Sequence, residues 1–371
     1  MKRTKNLYEK LISHDNLMLA LVEVNASHRW LPKHRPNKTV AWVEQDMEAR
    51  VDDLRNIIEQ IVYHKRQLSK PKQKRRYDKS AGKWRTINEP KLWPDQYIHH
   101  AIVQVLQETM MRGMDRHCCG SIRNRGIHYG KKKIEKWMDT DVKGTKYCEE
   151  LDIRHFYDSI EPKFIMARLR HLIKDWRVLK ICEEIMRYGV LIGLYTSQWF
   201  ANTLLQPLDQ LIRDSGLCSH CLRYMDNFTI FGSNKRKLHK LRKLIEGWLS
   251  GANLTLKQNW QVFPTRSRMP CALGYRFGRG FTLLKKRNLF RLKRKLSEYY
   301  RRKRKHRKIS SRMAIGLISR LGQLKHCNNR NIYEKIYHGK VQKELKRVIR
   351  NNMREERLTW SMYLEQTAIA A

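Results

Sequence analysis

Two aspartates stand where a carboxylate can hold a metal ion. Asp152 ends the apolar part of KYCEELDIRHFYDSI, whose β-branched and aromatic residues read as a buried strand. Asp226 sits at a tight bend between two apolar runs in CLRYMDNFTIF, with Asn227 beside it. A carboxylate taken out of water is costly unless a cation or hydrogen bonds satisfy it. If the two strands are neighbours, both carboxylates can share one or two divalent ions, and magnesium suits a few carboxylates plus substrate phosphates. Two such ions, roughly 3.5–4 Å apart, activate a 3′-hydroxyl and stabilise a leaving pyrophosphate. The other reading has Asp152 capping a turn and Asp226 shaping the bend. The residues alone leave both open.

The elements that must position them alternate between helix and strand. Residues 5–24 and 41–64 have apolar spacings of three and four, hence helices, and HRWLPKHRPNK between them is a loop with two prolines. A basic stretch then ends in a hairpin around Ser80, Ala81 and Gly82, with Lys83, Trp84, Arg85 and Ile87 leading to Pro90. QYIHHAIVQVLQETMMRGM is a helix, and CCGSIRNRGIHYGKKKIEKWM is a basic loop that enters another. Helical patterning covers 162–188, a turn 189–196, and a further helix SQWFANTLLQPLDQLIRD. The hairpin at 221–233, the helix KRKLHKLRKLIEGWLSG and a strand at 254–263 complete an α+β sheet with helices on one face.

The chain has 371 residues with 78 Lys and Arg against 35 Asp and Glu, a net charge of +43. Such a charge repels itself unless a polyanion covers it, and nucleic-acid phosphates are the usual partner. No apolar run is long enough to span a membrane and no signal peptide is evident, so the expected place is the cytoplasm. Residues 285–308 carry fourteen Lys and Arg against one Glu. The stripe Leu289, Phe290, Leu292, Leu296, Tyr299 and Tyr300 makes this a docked helix that presents cations to phosphate, and 310–360 reads as a small basic helical bundle. Eight cysteines in so long a chain are not a disulfide framework. HCC at 117–119 and CSHC at 218–221 have metal-ligating types, yet neither has an evident second pair for zinc, so reduced thiols are expected.

In order along the chain, LDIRHFYDSI, IGLYTSQWFANTLLQPLD, YMDN and ALGYRF closely resemble the palm motifs of reverse transcriptases. GKWRTINEP with QYIHHAIVQVL resembles the fingers, and the basic helices after 285 resemble the thumb, so the likeness covers about 5–340. It implies a right-hand polymerase: N-terminal helices and fingers at 1–145, a palm of antiparallel sheet backed by helices at 146–284, and a basic helical thumb and tail at 285–371.

Asp152 and Asp226 match the family's metal-binding aspartates, which implies two Mg²⁺ ions, or Mn²⁺ in their place. Tyr157 matches the aromatic gate that excludes a ribose 2′-OH. Ile192, Gly193, Ser197 and Gln198 match the turn along template and nucleotide, and Lys83 and Arg85 match basic finger positions. Leu273, Gly274 and Tyr275 match the hairpin that grips the primer. Asn227 departs from the family's second aspartate: it keeps a carbonyl oxygen and loses charge. The lysine of the fourth palm motif has no clear counterpart, since Lys257 is out of register and Trp260 takes its place. Implied partners are template RNA, the RNA–DNA hybrid and dNTPs.

Ile192-Gly193 followed by Ser197-Gln198, the TSQ-F-AN pattern and NWQV look like the reverse transcriptases of diversity-generating retroelements. Those copy a template repeat with errors opposite adenine in mutagenic retrohoming and work with a basic accessory protein. Group II intron and phage-defence reverse transcriptases share the same palm. A catalytically weakened RNA-binding relative is a further alternative, to which Asn227 lends support.

Overall fold

The computed structural model describes residues 2–31, 35–78, 82–328 and 340–369. The first expected helix divides into α1 (Leu7–Leu11) and α2 (His14–His28), because the Ser13 hydroxyl accepts from the Asn16 N–H and caps α2. The second divides into α3 (Lys38–Gln45) and α4 (Met47–Val62) at Asp46, which caps α4 through the Ala49 N–H. Between α2 and α3 lies a short pair, β1 (Trp30–Leu31) and β2 (Arg35–Pro36). Strands β3 (Lys72–Asp78) and β4 (Lys83–Glu89) form the expected basic hairpin, with Ser80 and Ala81 of its turn outside the described residues. Then come α5 (Tyr97–Met111), β5 (Cys118–Cys119) and α6 (Ile127–Thr140).

At the centre is a five-stranded sheet in the order β5-β7-β8-β6-β9. Its members are β6 (Tyr147–Asp152), β7 (His220–Tyr224), β8 (Asn227–Gly232) and β9 (Gln261–Pro264) beside β5. All neighbours are antiparallel except β5 with β7. The β6–β8 register sets Asp152 directly opposite Asn227. Helices α7 (Phe156–Ser159), α8 (Pro162–Leu172), α9 (Trp176–Ile185), α10 (Tyr195–Leu204) and α11 (Gln206–Asp214) lie between β6 and β7, and α12 (Lys235–Gly251) follows β8. The expected strand at 254–263 shrinks to β9. Before it, Leu256 makes a single bridge to Ile153, and the Lys257 N–H donates to the Asp152 carbonyl at 2.9 Å.

The period-two alternation of strands divides the interior in two. Leu151, Phe228 and Ile230 join the large core built with α2, α4, α5 and α8–α12. Cys148, Leu222 and Phe231 face the other way, into a second core with α6, β11 (Tyr275–Phe277), α13 (Lys286–Arg304) and α14 (Ser311–Lys325). The sheet is therefore covered on both faces, not one, because both faces carry apolar side chains. β10 (Cys271–Ala272) and β12 (Thr282–Leu284) flank β11 in a small sheet of their own. Of the expected stripe on α13, Leu292, Leu296 and Tyr299 are buried, while Phe290 and Tyr300 stay exposed.

The last helix, α15 (Lys340–Ile369), packs on α14 and reaches back to α3, where the Trp360 indole N–H donates to Glu44 at 3.0 Å. Among the described residues no helix is long and apolar enough to cross a membrane.

Beneath α12, on the helix-packed face of β6, Glu149 is fully buried. Among the described residues neither of its oxygens has a hydrogen-bond partner, and Arg242 Nε is 3.9 Å away. Burial pushes its pKa up to about 8, against a partial pull from Arg242. An acid whose folded pKa is raised stabilises the fold fully below its unfolded pKa, and that contribution is lost as pH rises towards the folded value. Stability should therefore fall between pH 4.5 and about 8, by at most about 5 kcal/mol. Glu149→Gln should flatten that decline in melting temperature against pH; parallel curves for variant and wild type would refute the assignment.

Candidate active site

The turn that joins β7 to β8 has two residues, Met225 and Asp226. Two-residue hairpin turns need positive φ at their first position, which glycine ordinarily supplies. Here Met225 takes it, at φ 57°, a conformation that costs a non-glycine residue about 1–3 kcal/mol. Buried contacts beneath the turn hold it there. Arg223 Nη1 donates to the Met225 carbonyl and to Asn202 Oδ1, each at 2.9 Å. The Asn202 side chain donates in turn to the Gly120 carbonyl at 3.2 Å, and the Met225 side chain lies against Gly120, where a Cβ would be 3.1 Å from it. Arg223 itself is fixed by a two-pronged pair with Asp209 of α11, at 2.7 and 2.6 Å, both residues being buried. The Asp209 carboxylate holds the guanidinium above its ordinary pKa despite burial.

The turn thus brings Asp226 beside Asp152. The Ile153 N–H donates to the Asp226 carbonyl at 3.1 Å, and Asp226 has its pKa raised by burial first and by the Asp152 charge second. Lys257 Nζ lies 2.5 Å from Asp152 Oδ1. A cation already stands against the first carboxylate, which is the place a divalent ion would contest. Among the described residues no three His, Cys, Asp or Glu side chains converge, so the oxygen donors here are two carboxylates. Hard oxygen donors of that number fit Mg²⁺ when substrate phosphates and water complete its shell. Asn227 is exposed, and its amide nitrogen donates to Asp226 Oδ1 at 3.0 Å. It thus donates to the neighbouring carboxylate and brings no charge of its own.

Some of the other expected site residues lie near this pair and some do not. Asp152, Asn227, Leu273 and Gly274 line one cavity of about 390 Å³. Leu273 and Gly274 turn the chain between β10 and β11 with φ of 55° and 86°, and the Lys285 N–H donates to the Gly274 carbonyl at 2.9 Å. Tyr275 points away into the second core, where its hydroxyl donates to the Gln323 carbonyl at 3.2 Å. Tyr157 packs against the large core, its pKa raised by burial and then by the Asp226 charge. Arg85 bears on Asp226 electrostatically while pairing with Asp78 at 2.8 Å; Lys83 is exposed on the same strand. Ser197 is buried in the first turn of α10, and Gln198 accepts from the Ser121 hydroxyl.

Gly193 carries a conformational requirement. At φ 115° it lies so close to β4 that a Cβ would sit 2.3 Å from the Asn88 carbonyl oxygen. Next to it, the Ile192 carbonyl accepts from the Asn88 backbone N–H at 2.7 Å and from its side chain at 3.3 Å. The β3–β4 hairpin is therefore pinned to the turn before α10.

Arg223, Asp209, Asn202, Asn88 and the contact of Lys257 were not apparent as site residues in the sequence. A signal existed for the first two: an arginine inside the apolar run CLRYM and an aspartate inside TLLQPLDQLI are opposite charges on elements that both must be buried. Arg223→Met leaves the Asp209 charge buried and unpaired and should cost about 3–5 kcal/mol in unfolding free energy. The double change Arg223→Met/Asp209→Leu should regain most of that stability without restoring the donor to Met225, so any activity of the turn should stay lost. Equal recovery of both would show the pair to be structural only.

No curated protein matches the sequence. Solved structures to which the chain is similar include the apo telomerase of Candida tropicalis, at 12% identity and a TM-score of 0.44, with 73% of this chain and 65% of that one covered. Another is the Candida albicans telomerase bound to a fragment of telomeric RNA, at 12% identity and a TM-score of 0.41, covering 65% and 50%. The chain spans less than two thirds of either. The sequence model of the family described as reverse transcriptase (RNA-dependent DNA polymerase) matches residues 70–276, more than half of the chain and all five strands of the central sheet. The chain belongs to the reverse transcriptase family.

Proposed function

We propose that this chain copies an RNA template into cDNA by metal-assisted nucleotidyl transfer, with Asp152 and Asp226 as the metal-holding carboxylates. The observation that carries this reading is the two-residue turn that sets Asp226 beside Asp152, with the Lys257 ammonium standing against Asp152. Divalent ions held there would favour ionisation of a primer 3′-hydroxyl and neutralise charge on the departing pyrophosphate. The protein's own groups have distinct tasks. Arg85 and Lys83 meet the nucleotide phosphates, Arg85 exchanging Asp78 for them. The Tyr157 ring closes the space beside the sugar and favours dNTPs. Leu273 and Gly274 seat the primer end. The segments 1–145, 146–284 and 285–371 act as fingers, palm and thumb, and the thumb cations hold the RNA–DNA hybrid by its backbone, so binding should be salt-sensitive and little dependent on sequence.

Within the family, the Ile192-Gly193 and Ser197-Gln198 pattern supports a diversity-generating retroelement enzyme that works in the cytoplasm with a basic accessory protein. Ile192 offers the nucleotide no polar side chain, which weakens discrimination against wrong pairs. Asn227 favours one second reading, a weakened relative that binds RNA without copying it.

Primer extension on an RNA template with dNTPs and Mg²⁺ or Mn²⁺ separates the two. Extension by wild type and at least a hundred-fold less by Asp226→Ala is expected; RNA binding without extension in any metal supports the binding reading. Sequenced products should show errors concentrated opposite adenine, and Ile192→Gln should reduce them. An unchanged error rate in that variant would remove Ile192 from the explanation.

A further inference from the structure

The two cysteine–histidine groups of the sequence meet at the outer edge of the central sheet. β5 pairs only with Arg223 and Tyr224, which leaves the start of β7 without a neighbouring strand on that side among the described residues. The space beside it is a cavity of about 440 Å³, within the range of small-ligand sites. Its floor includes the Arg223–Asp209 pair and the cysteines Cys118 and Cys221. One wall is aromatic. Trp137 lies flat on His220 with centroids 4.8 Å apart and planes at 11°, and His117 meets Trp137 edge-on at 4.8 Å. Both histidine side chains remain 21% exposed, and Asp141 anchors His220 through Nε2 at 2.8 Å. The rim is cationic. Arg213 pairs with Asp115 at 2.9 Å, but among the described residues Arg116, Lys133 and Lys136 form no ion pair with a carboxylate.

We propose that this cavity binds one nucleotide unit, with its phosphate on Arg116, Lys133 and Lys136 and its base against the His117–Trp137–His220 wall. Phosphate recognition follows from cations that have no acidic partner, and base recognition from rings at the cavity surface. A soft metal ion is the other ligand such side chains suggest. No three of them converge among the described residues, and the rim repels cations. Burial also keeps the thiols protonated, pushing Cys118 up to about 12 and Cys218 up to about 11. The nucleotide can be free or an unpaired residue of bound RNA, since the recognising chemistry is the same. The site stands apart from the carboxylate pair yet abuts Arg223, the group that holds the catalytic turn.

Calorimetric titration of the full chain with adenosine 5′-monophosphate tests this. Saturable binding is expected, unchanged in Asp226→Ala and at least ten-fold weaker in Lys133→Glu/Lys136→Glu and in Arg116→Glu, with wild-type melting temperatures in these surface variants. A single-stranded RNA tetranucleotide that displaces the monophosphate assigns the nucleotide to RNA; failure to displace assigns it to the free pool, and either result keeps the site. The proposal falls if there is no saturable binding, if Asp226→Ala abolishes it, or if the charge reversals leave it intact. It falls equally if inorganic phosphate competes as well as the nucleotide, for then the rings contribute nothing.

Discussion

The geometry of the candidate active site hangs on the buried Arg223–Asp209 pair. A two-residue turn with a methionine at positive φ does not hold itself, and the strand ends alone do not determine where its aspartate points. Arg223 connects the turn carbonyl, Asn202 of α10 and Asp209 of α11 in one network, so helix positions and turn position are set together. A buried ion pair is a poor way to gain net stability, since desolvation offsets the attraction. It is a good way to fix one arrangement among several, and here the arrangement fixed is the one that brings two carboxylates together.

A second constraint fixes the hairpin of β3 and β4 against the turn before α10. The hairpin is largely exposed and basic, so little apolar burial anchors it. Its anchor is instead backbone hydrogen bonding from Asn88 to Ile192, made possible by the absence of a side chain at Gly193. Arg85, on the same strand as Asn88, pairs with Asp78 at 2.8 Å. A carboxylate pair within so basic a chain suits substrates that bring phosphate and divalent cations at once.

Much of this was legible from the residues. Strand β6 ends at Asp152 as its pattern indicates, the hairpin carrying Asp226 forms where apolar runs flank YMDN, and the basic helix α13 follows the sheet. Three things were hidden, each for a physical reason. Helix breaks at Ser13, Asp46 and Asp175 came from side-chain caps inside continuous apolar periodicity, which a period alone does not show. The second covered face of the sheet depended on α6 and α13 packing across it, a long-range event. The role of Arg223 and the approach of Lys257 to Asp152 arise from three-dimensional pairing between segments far apart or out of register, where sequence spacing carries no distance.

Direct metal binding tests the central claim without depending on template, primer or partner. Paramagnetic titration of the chain with Mn²⁺ should show binding in the wild type that is lost in Asp152→Ala and in Asp226→Ala, and tightened several-fold in Asn227→Asp. Tight binding that survives both alanine changes would contradict the assignment of this carboxylate pair as the metal site.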